Sequence, residues 1–425
     1  MFILHMTDRE GNKHKLNYDP HTSSLTLPDG SPIIANIDET AQWKTAIPVN
    51  KENPGRKIQA PVRLKIQLGL GCNYSCSYCL QSAQIHKAAA SSTADTKIFL
   101  KTLDTWLEGT PKQIEFWGGE PLLYWNKLKV LVPELKAKFP ETKMLIITNG
   151  TLFTKEIVDQ LVEWDFGVGM SHDGPGQSLR GDDPFEDPTI KENIDYAVMK
   201  LTEKNKFSFN SVLTSKSHNP EEIINWFKQL YPMTPVTFEG VVHSYDDGDD
   251  SKFTEEQLQD LTKNVTLQIM YKTALVGSLS QKSEDFVQSL YLKRPSSALY
   301  QKCGMDREDQ LAVDLLGNVL TCQNVGGKAE HKIGHVRSFD KIALNTATHW
   351  SFKEECQTCP VLQLCKGSCM YLEGDNWAAS CNAEFAINKA ILAGTLFNMT
   401  GLVLERIEGH MIRPSLPKSR NTNED

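Results

Sequence analysis

The sequence predicts an α/β protein, a partial (β/α)6, TIM-like barrel followed by a cysteine-rich C-terminal domain. Three observations carry this. From residue 62 to 243, six short apolar segments alternate with helical stretches, the pattern of a parallel sheet with right-handed crossovers. Every motif with chemistry in that stretch falls just after an apolar segment, where an α/β barrel gathers its functional groups. The ten cysteines form two groups, three at 72–79 and seven from Cys303 to Cys381, with none between.

The elements follow in order. Residues 1–60 read as a small β appendage in which "KLNYDP" and "SLTLPDGSPI" are short strands with Asp-Pro and Asp-Gly turns, a hairpin. Residues 61–295 hold the barrel. Its first strand is "VRLKIQLGL" (62–70), followed by a cysteine loop and a helix over 93–108. "QIEFWGG" (113–119) is the second strand, with a helix over 125–138. "KMLIITNG" (143–150) leads into the helix "TKEIVDQLVEW" (154–164), and "FGVGMSHDG" (166–174) into a helix over 188–203. "FSFNSVLT" (207–214) precedes "PEEIINWFKQLY" (220–231), and "PVTFEGVVH" (235–243) closes the series. An acidic helical stretch covers 252–293. Residues 296–410 form the cysteine-rich domain, with a hairpin "LAVDLLGNVLTC" (311–322) turning at Gly317 and a long helix over 382–408. The polar, proline-containing tail 411–425 reads as disordered.

Composition narrows the function. A net charge of −8 with no basic stripe argues against nucleic acid and against an anionic membrane surface as partners. "MFILHMTDREGNKHK" lacks the apolar core of a secretion signal, and the most apolar run, "AILAGTLFNMTGLVL" (390–404), is short and interrupted by polar residues, a buried helix rather than a span. The expected location is cytoplasmic. In a reducing compartment clustered cysteines point to metal rather than disulfides, and two clusters point to two metal-binding regions.

The loop "GLGCNYSCSYCLQS" (69–82) spaces Cys72, Cys76 and Cys79 as C-x3-C-x2-C. Thiolates at this spacing can ligate zinc or an iron–sulfur cluster. Three ligands fall one short of a closed tetrahedral site. The loop follows the first barrel strand, a catalytic position rather than a structural one.

This loop, with Tyr78 just before its third cysteine, resembles the cluster motif of the radical S-adenosylmethionine (SAM) superfamily. The resemblance implies that Cys72, Cys76 and Cys79 hold three irons of a [4Fe–4S] cluster and that SAM fills the fourth iron, where one electron splits it to a 5′-deoxyadenosyl radical. "WGGEP" after the second strand resembles the family's site for the SAM amino group, which assigns Gly118, Gly119, Glu120 and Pro121 to SAM. By position, Thr148, Asn149, Ser171, Asp173 and Arg180 are expected at the SAM ribose and carboxylate, and Leu213 near adenine. His172 has no matching role and reads as structural.

The second group reads C-x13-G-x4-C, then C-x2-C-x5-C-x3-C-x11-C. C-x2-C knuckles often bind zinc. Together with the first motif, the set resembles the SPASM extension of radical SAM enzymes, which carries two auxiliary [4Fe–4S] clusters. The resemblance assigns Cys303, Cys322 and Cys369 to one cluster and Cys356, Cys359, Cys365 and Cys381 to the other, fully ligated. This chain departs from the pattern twice. Asp309 stands where fully ligated relatives have a further cysteine, so the resemblance implies an oxygen ligand or an open iron at the first auxiliary cluster. Gln323 stands where sulfatase-activating members carry an aspartate base, and an amide takes no proton at neutral pH.

The expected function is therefore hydrogen abstraction from a ribosomally made precursor peptide, closing a thioether or carbon–carbon cross-link, with flavodoxin or ferredoxin as one-electron reductant. Anaerobic sulfatase maturation is the alternative within the same chemistry. A non-catalytic zinc or iron–sulfur protein is the alternative outside it.

Overall fold

The computed structural model describes residues 1–81, 93–240, 242, 252–271, 278–326 and 330–417. Six parallel strands lie where the apolar segments predict them: β4 (Arg63–Gln67), β5 (Gln113–Trp117), β6 (Lys143–Thr148), β7 (Gly167–Ser171), β8 (Phe207–Val212) and β9 (Val236–Gly240). Each pairs with the next, as Leu64↔Ile114 and Ile114↔Met144 illustrate, with a register shift between Ser211 and Val212 where β8 meets β9. The last residues of the sixth predicted segment, 241 and 243, lie outside the described residues. The crossover helices are α1 (Thr93–Thr102), α2 (Trp125–Lys138), α3 (Lys155–Glu163), α4 (Pro188–Thr202) and α5 (Pro220–Leu230). Their starts are written in the sequence. Asp187 and Asn219 cap α4 and α5 through backbone amides, each followed by a proline at the first helical position. Thr154 caps α3 by accepting from Ile157 N. The core between layers is built from Leu64, Ile66, Ile114, Phe116, Ile146 and Phe209, all fully buried.

The sheet does not stop at the barrel. β10 (Gln310–Asp314) runs parallel to β4, from Gln310↔Arg63 to Asp314↔Gln67, and β11 (Asn318–Leu320) and β12 (Lys332–His335) follow antiparallel. The order is β12-β11-β10-β4-β5-β6-β7-β8-β9. The predicted hairpin at 311–322 thus forms, but as an extension of the barrel sheet into the cysteine-rich region.

The N-terminal appendage contains the predicted hairpin, β2 (Lys13–Asp19) on β3 (Ser24–Thr26), and an additional strand β1 (Phe2–Thr7). Its second half is not β structure. Residues 33–54 are irregular and pack along the cysteine-rich region, with Ala46 N on Ser297 O and His349 N on Val49 O.

The predicted helix over 382–408 is corrected at both ends. α6 (Glu255–Tyr271) and α7 (Ser278–Tyr291) precede the last helix α8, which spans Gly374–Thr400. Gly401 stops it at φ +73°, a conformation that costs glycine little. The chain then turns back as β13 (Val403–Glu408), pairing antiparallel with β1 from Ile3↔Glu408 to Thr7↔Val403. α8 is buried on most sides, and at Gly394 it touches α6 so closely that a methyl would lie 2.5 Å from Ile269 Cβ. The predicted disordered tail is corrected as well. Residues 412–414 bond to Thr358 and Asn382, while 418–425 lie outside the described residues. Among the described residues no helix is long and apolar enough to cross a membrane.

Candidate active site

The cysteine loop leaves β4 and is fastened to the segment after β5 by backbone. Gly119 N donates to Gly69 O (3.1 Å) and Glu120 N to Gly71 O (2.9 Å). A Cβ on Gly119 would stand 2.3 Å from Gly71 O, and one on Gly118 2.6 Å from Gly69 O. Glycine is required here so that two loops can touch. From the other side Tyr124 accepts Gly71 N through its hydroxyl (2.7 Å).

Glu120 is buried and fully engaged. It accepts from Leu122 N (2.9 Å), the Thr148 hydroxyl (2.7 Å) and Asn149 N (2.7 Å). Burial raises its carboxyl above the usual range against these three donors. The carboxylate therefore ties the end of β5 to the end of β6. Asn149 completes the link by donating to Asn73 Oδ1 in the cysteine loop (2.8 Å).

Tyr78 is buried between a cation and an anion. Its hydroxyl donates to Asp173 Oδ2 and accepts from Arg180 Nη1 (2.8 Å). Burial holds the phenol well above its ordinary value, so it remains the donor. Asp173 is completely enclosed and also accepts Val212 N (3.0 Å). The aromatic residue before the third cysteine thus anchors the cysteine loop to the loop after β7. We expect Tyr78→Phe to leave Asp173 and Arg180 short of a shared partner, at a cost of about 1–3 kcal/mol. A fall in the thermal unfolding midpoint, without loss of secondary structure, checks this. His172 is enclosed, stacked on Phe185 and Trp226. It accepts Gly174 N at Nδ1, so Nε2–H donates to Asp183 (3.1 Å).

These groups line a cleft of about 450 Å³ at the carboxyl ends of the strands. Of the sequence-assigned positions, the structure brings Cys72, Cys76, Cys79, Tyr78, Gly118, Gly119, Glu120, Thr148, Asn149, Ser171 and Arg180 to its wall. Pro121, Asp173 and Leu213 are buried behind it. The opposite wall comes from the cysteine-rich region, with Lys302, Cys303 and Gln323. Gln323 is held by Lys65 Nζ on its side-chain oxygen (3.1 Å), while Gln67 Nε2 donates to its backbone carbonyl (3.0 Å).

Sequence reasoning missed Glu239, at the end of β9. Its side chain is exposed to the cleft, and enclosure by the cleft walls raises its carboxyl above the usual range, with Arg180 and Lys302 opposing. The signal that could have found it is its place at the end of a barrel strand. Lys302 is a second such residue, paired with Glu384 of α8, whose carboxylate is otherwise buried.

Cys303 faces the cleft, and Cys322 and Cys369 stand near it, where burial above all and then their mutual charge push the Cys322 thiol up to about 12. Cys356, Cys359, Cys365 and Cys381 line one separate cavity deeper in the region. Burial, Glu384 and the neighbouring thiols push Cys365 up to about 12. In the cysteine loop, burial pushes Cys72 and Cys79 up to about 11. Thiolate charge in such places needs a cation beside it, so the soft donor sets fit iron or zinc. Among the described residues no three Cys, His, Asp or Glu side chains converge as a site for a single metal ion. Asp309 is occupied elsewhere: Arg307 grips both its oxygens, at 2.8 and 2.7 Å. The sequence leaves two alternatives at this position, an oxygen ligand or an open iron, and the carboxylate that would supply the first is engaged in a bidentate ion pair.

A parallel barrel sheet that mounts three thiols on the loop after a strand defines a class of metal-centred α/β enzymes. Residues 66–197 match the Radical SAM superfamily model, so this stretch of the barrel carries a radical SAM domain. The chain is 23% identical over 343 residues to the radical SAM cyclopropyl synthase TigE of Paramaledivibacter caminithermalis, covering 76% of this chain and 70% of that protein. It is 25% identical over 337 residues to the cysteine-type anaerobic sulfatase-maturating enzyme of Clostridium perfringens, covering 70% and 86%. The fold is similar to that of anSMEcpe with bound AdoMet and Cp18Cys peptide, at a TM-score of 0.58 and 19% identity, over 80% of this chain and 99% of that one.

Proposed function

We propose that this chain is a peptide-modifying radical SAM maturase with three [4Fe–4S] clusters, one SAM-binding and two auxiliary. The observation that carries the reading is the cleft itself, lined on one wall by Cys72, Cys76 and Cys79 and on the other by Cys303. Cys303, Cys322 and Cys369 would hold one auxiliary cluster of a SPASM domain, and Cys356, Cys359, Cys365 and Cys381 the other. SAM, when bound at the open iron of the first cluster, supplies a 5′-deoxyadenosyl radical able to take hydrogen from an unactivated carbon.

The chain's own residues orient and deprotonate. Glu120, Thr148 and Asn149 fix the backbone on which the SAM amino group would rest. Arg180 and Ser171 face the cleft where its carboxylate and ribose would lie. Glu239 is the acidic side chain exposed to the substrate space, and its raised pKa suits a proton acceptor. Gln323, an amide bonded to Lys65, cannot fill that role, which disfavours sulfatase maturation. The bond formed is a carbon–carbon or thioether link, and the likeness to a cyclopropyl synthase favours the former. The substrate is a ribosomally made precursor peptide, the reductant a flavodoxin or ferredoxin, and the location cytoplasmic.

The test is anaerobic. Purified and reconstituted protein is expected to be brown, with about twelve irons per chain if three four-iron clusters assemble. Dithionite and SAM should release 5′-deoxyadenosine, and peptides encoded beside the gene should lose two hydrogens in mass. A colourless, zinc-loaded protein that cleaves no SAM would remove the reading.

A further inference from the structure

The chain beyond β13 closes over the deeper group of thiols. Ile412 N donates to Thr358 Oγ1 (3.0 Å), in the turn between Cys356 and Cys359. Asn382 Nδ2, on α8 beside Cys381, donates to Pro414 O (3.1 Å). These two bonds bracket Arg413. Its guanidinium lies 4.1 Å from the Phe385 ring centroid. Nη2 donates to Cys381 O (3.0 Å) and Asn382 Oδ1 (3.1 Å), which fixes the plane of the fork. Nη1 is then left pointing at Cys381 Sγ, 3.3 Å away.

Arg413 is the cation among the described residues lining that cavity, and Glu355 is the anion. An always-charged planar donor, clamped by a carbonyl, an amide and an aromatic face, delivers a charge-assisted hydrogen bond to one sulfur at a fixed angle.

We propose that Arg413 sets the reduction potential of the cluster held by Cys356, Cys359, Cys365 and Cys381. The inference rests on the iron–sulfur reading above. Reduction adds one electron to a group already carrying thiolate charge. Hydrogen bonds to the sulfurs and nearby positive charge stabilise that reduced state, and both raise the potential. Arg413 supplies both. It touches no substrate space and acts as a positioning residue.

The experiment is a redox titration of the reconstituted full chain with dithionite and mediator dyes, followed by electron paramagnetic resonance. Wild type is compared with Arg413→Gln and Arg413→Lys. Glutamine keeps a donor and some packing on Phe385 but removes the charge. We expect it to lower the reduction equilibrium of one cluster at least tenfold, about 59 mV for a one-electron couple, with the other two clusters unmoved. Lysine keeps the charge without the fork, and its potential is expected between the two. Potentials of both variants within twofold of wild type in equilibrium constant, at equal iron content, would overturn the proposal. So would iron loss from this site in Arg413→Gln with an unshifted potential in Arg413→Lys, since that describes a clamp alone. Zinc in place of iron in the wild type would instead bring down the reading underneath, and this assignment with it.

Discussion

Cys76→Ala is expected to abolish reductive cleavage of SAM. The residue is the middle cysteine of the loop, a ligand in the proposed function, and faces the cleft. Substitutions in the shell around a metal cost about 10–100-fold, and loss of a direct ligand should exceed that range. Iron content should fall by about four per chain, while the signals of the proposed auxiliary clusters persist because the thiols that would hold them lie in a separate region. 5′-Deoxyadenosine formation, measured anaerobically with dithionite, is the readout. Turnover at the wild-type rate in this variant would mean that the loop does not carry the reactive centre.

Gly119→Ala is the second large effect, and it reaches the same centre without touching a ligand. A methyl there would meet Gly71 O at 2.3 Å and Leu70 O at 2.7 Å, both backbone atoms with no rotamer to yield. Overpacking of this kind costs about 1–3 kcal/mol. The element that gives way is the cysteine loop, since Glu120 N must release Gly71 O (2.9 Å). We expect a lowered unfolding midpoint together with loss of iron from the first site and loss of SAM cleavage. Gly119→Ala with full iron content and unimpaired cleavage would show that the contact between the two loops is dispensable.

Much of this was legible in the sequence, for identifiable reasons. Strands show themselves as short apolar runs or as apolar–polar alternation, so "KMLIIT" and "FSFNSV" declare themselves, the first by the run and the second by the alternation. Helix starts at Asp187 and Asn219 are declared by a capping side chain followed by proline. Cysteine spacing marks candidate ligands without any structure. The failures are non-local. Nothing inside "QLAVD" says that its partner is β4, some 240 residues earlier in the chain, because strand pairing leaves no local trace. "VLERIE" continues the helical pattern of the preceding apolar run, and only Gly401 signals that the helix has ended. Pro121, Asp173 and Leu213 were assigned by position in a motif, and position does not say which side of the loop a side chain takes. Glu239 sits in no motif, so only the geometry of the strand end reveals it. Arg413 lies in a polar, proline-bearing tail that reads as disordered until its contacts with α8 are seen.

The joining of β10 to β4 has a mechanical consequence. Five paired residues on each strand weld the wall bearing Cys303 to the wall bearing Cys72. The gap between the thiols on one wall and those on the other is then spanned by hydrogen-bonded backbone. Swinging one wall against the other would require breaking that ladder. Under the proposed function, adjustment to a guest would then fall to the loops around the rim.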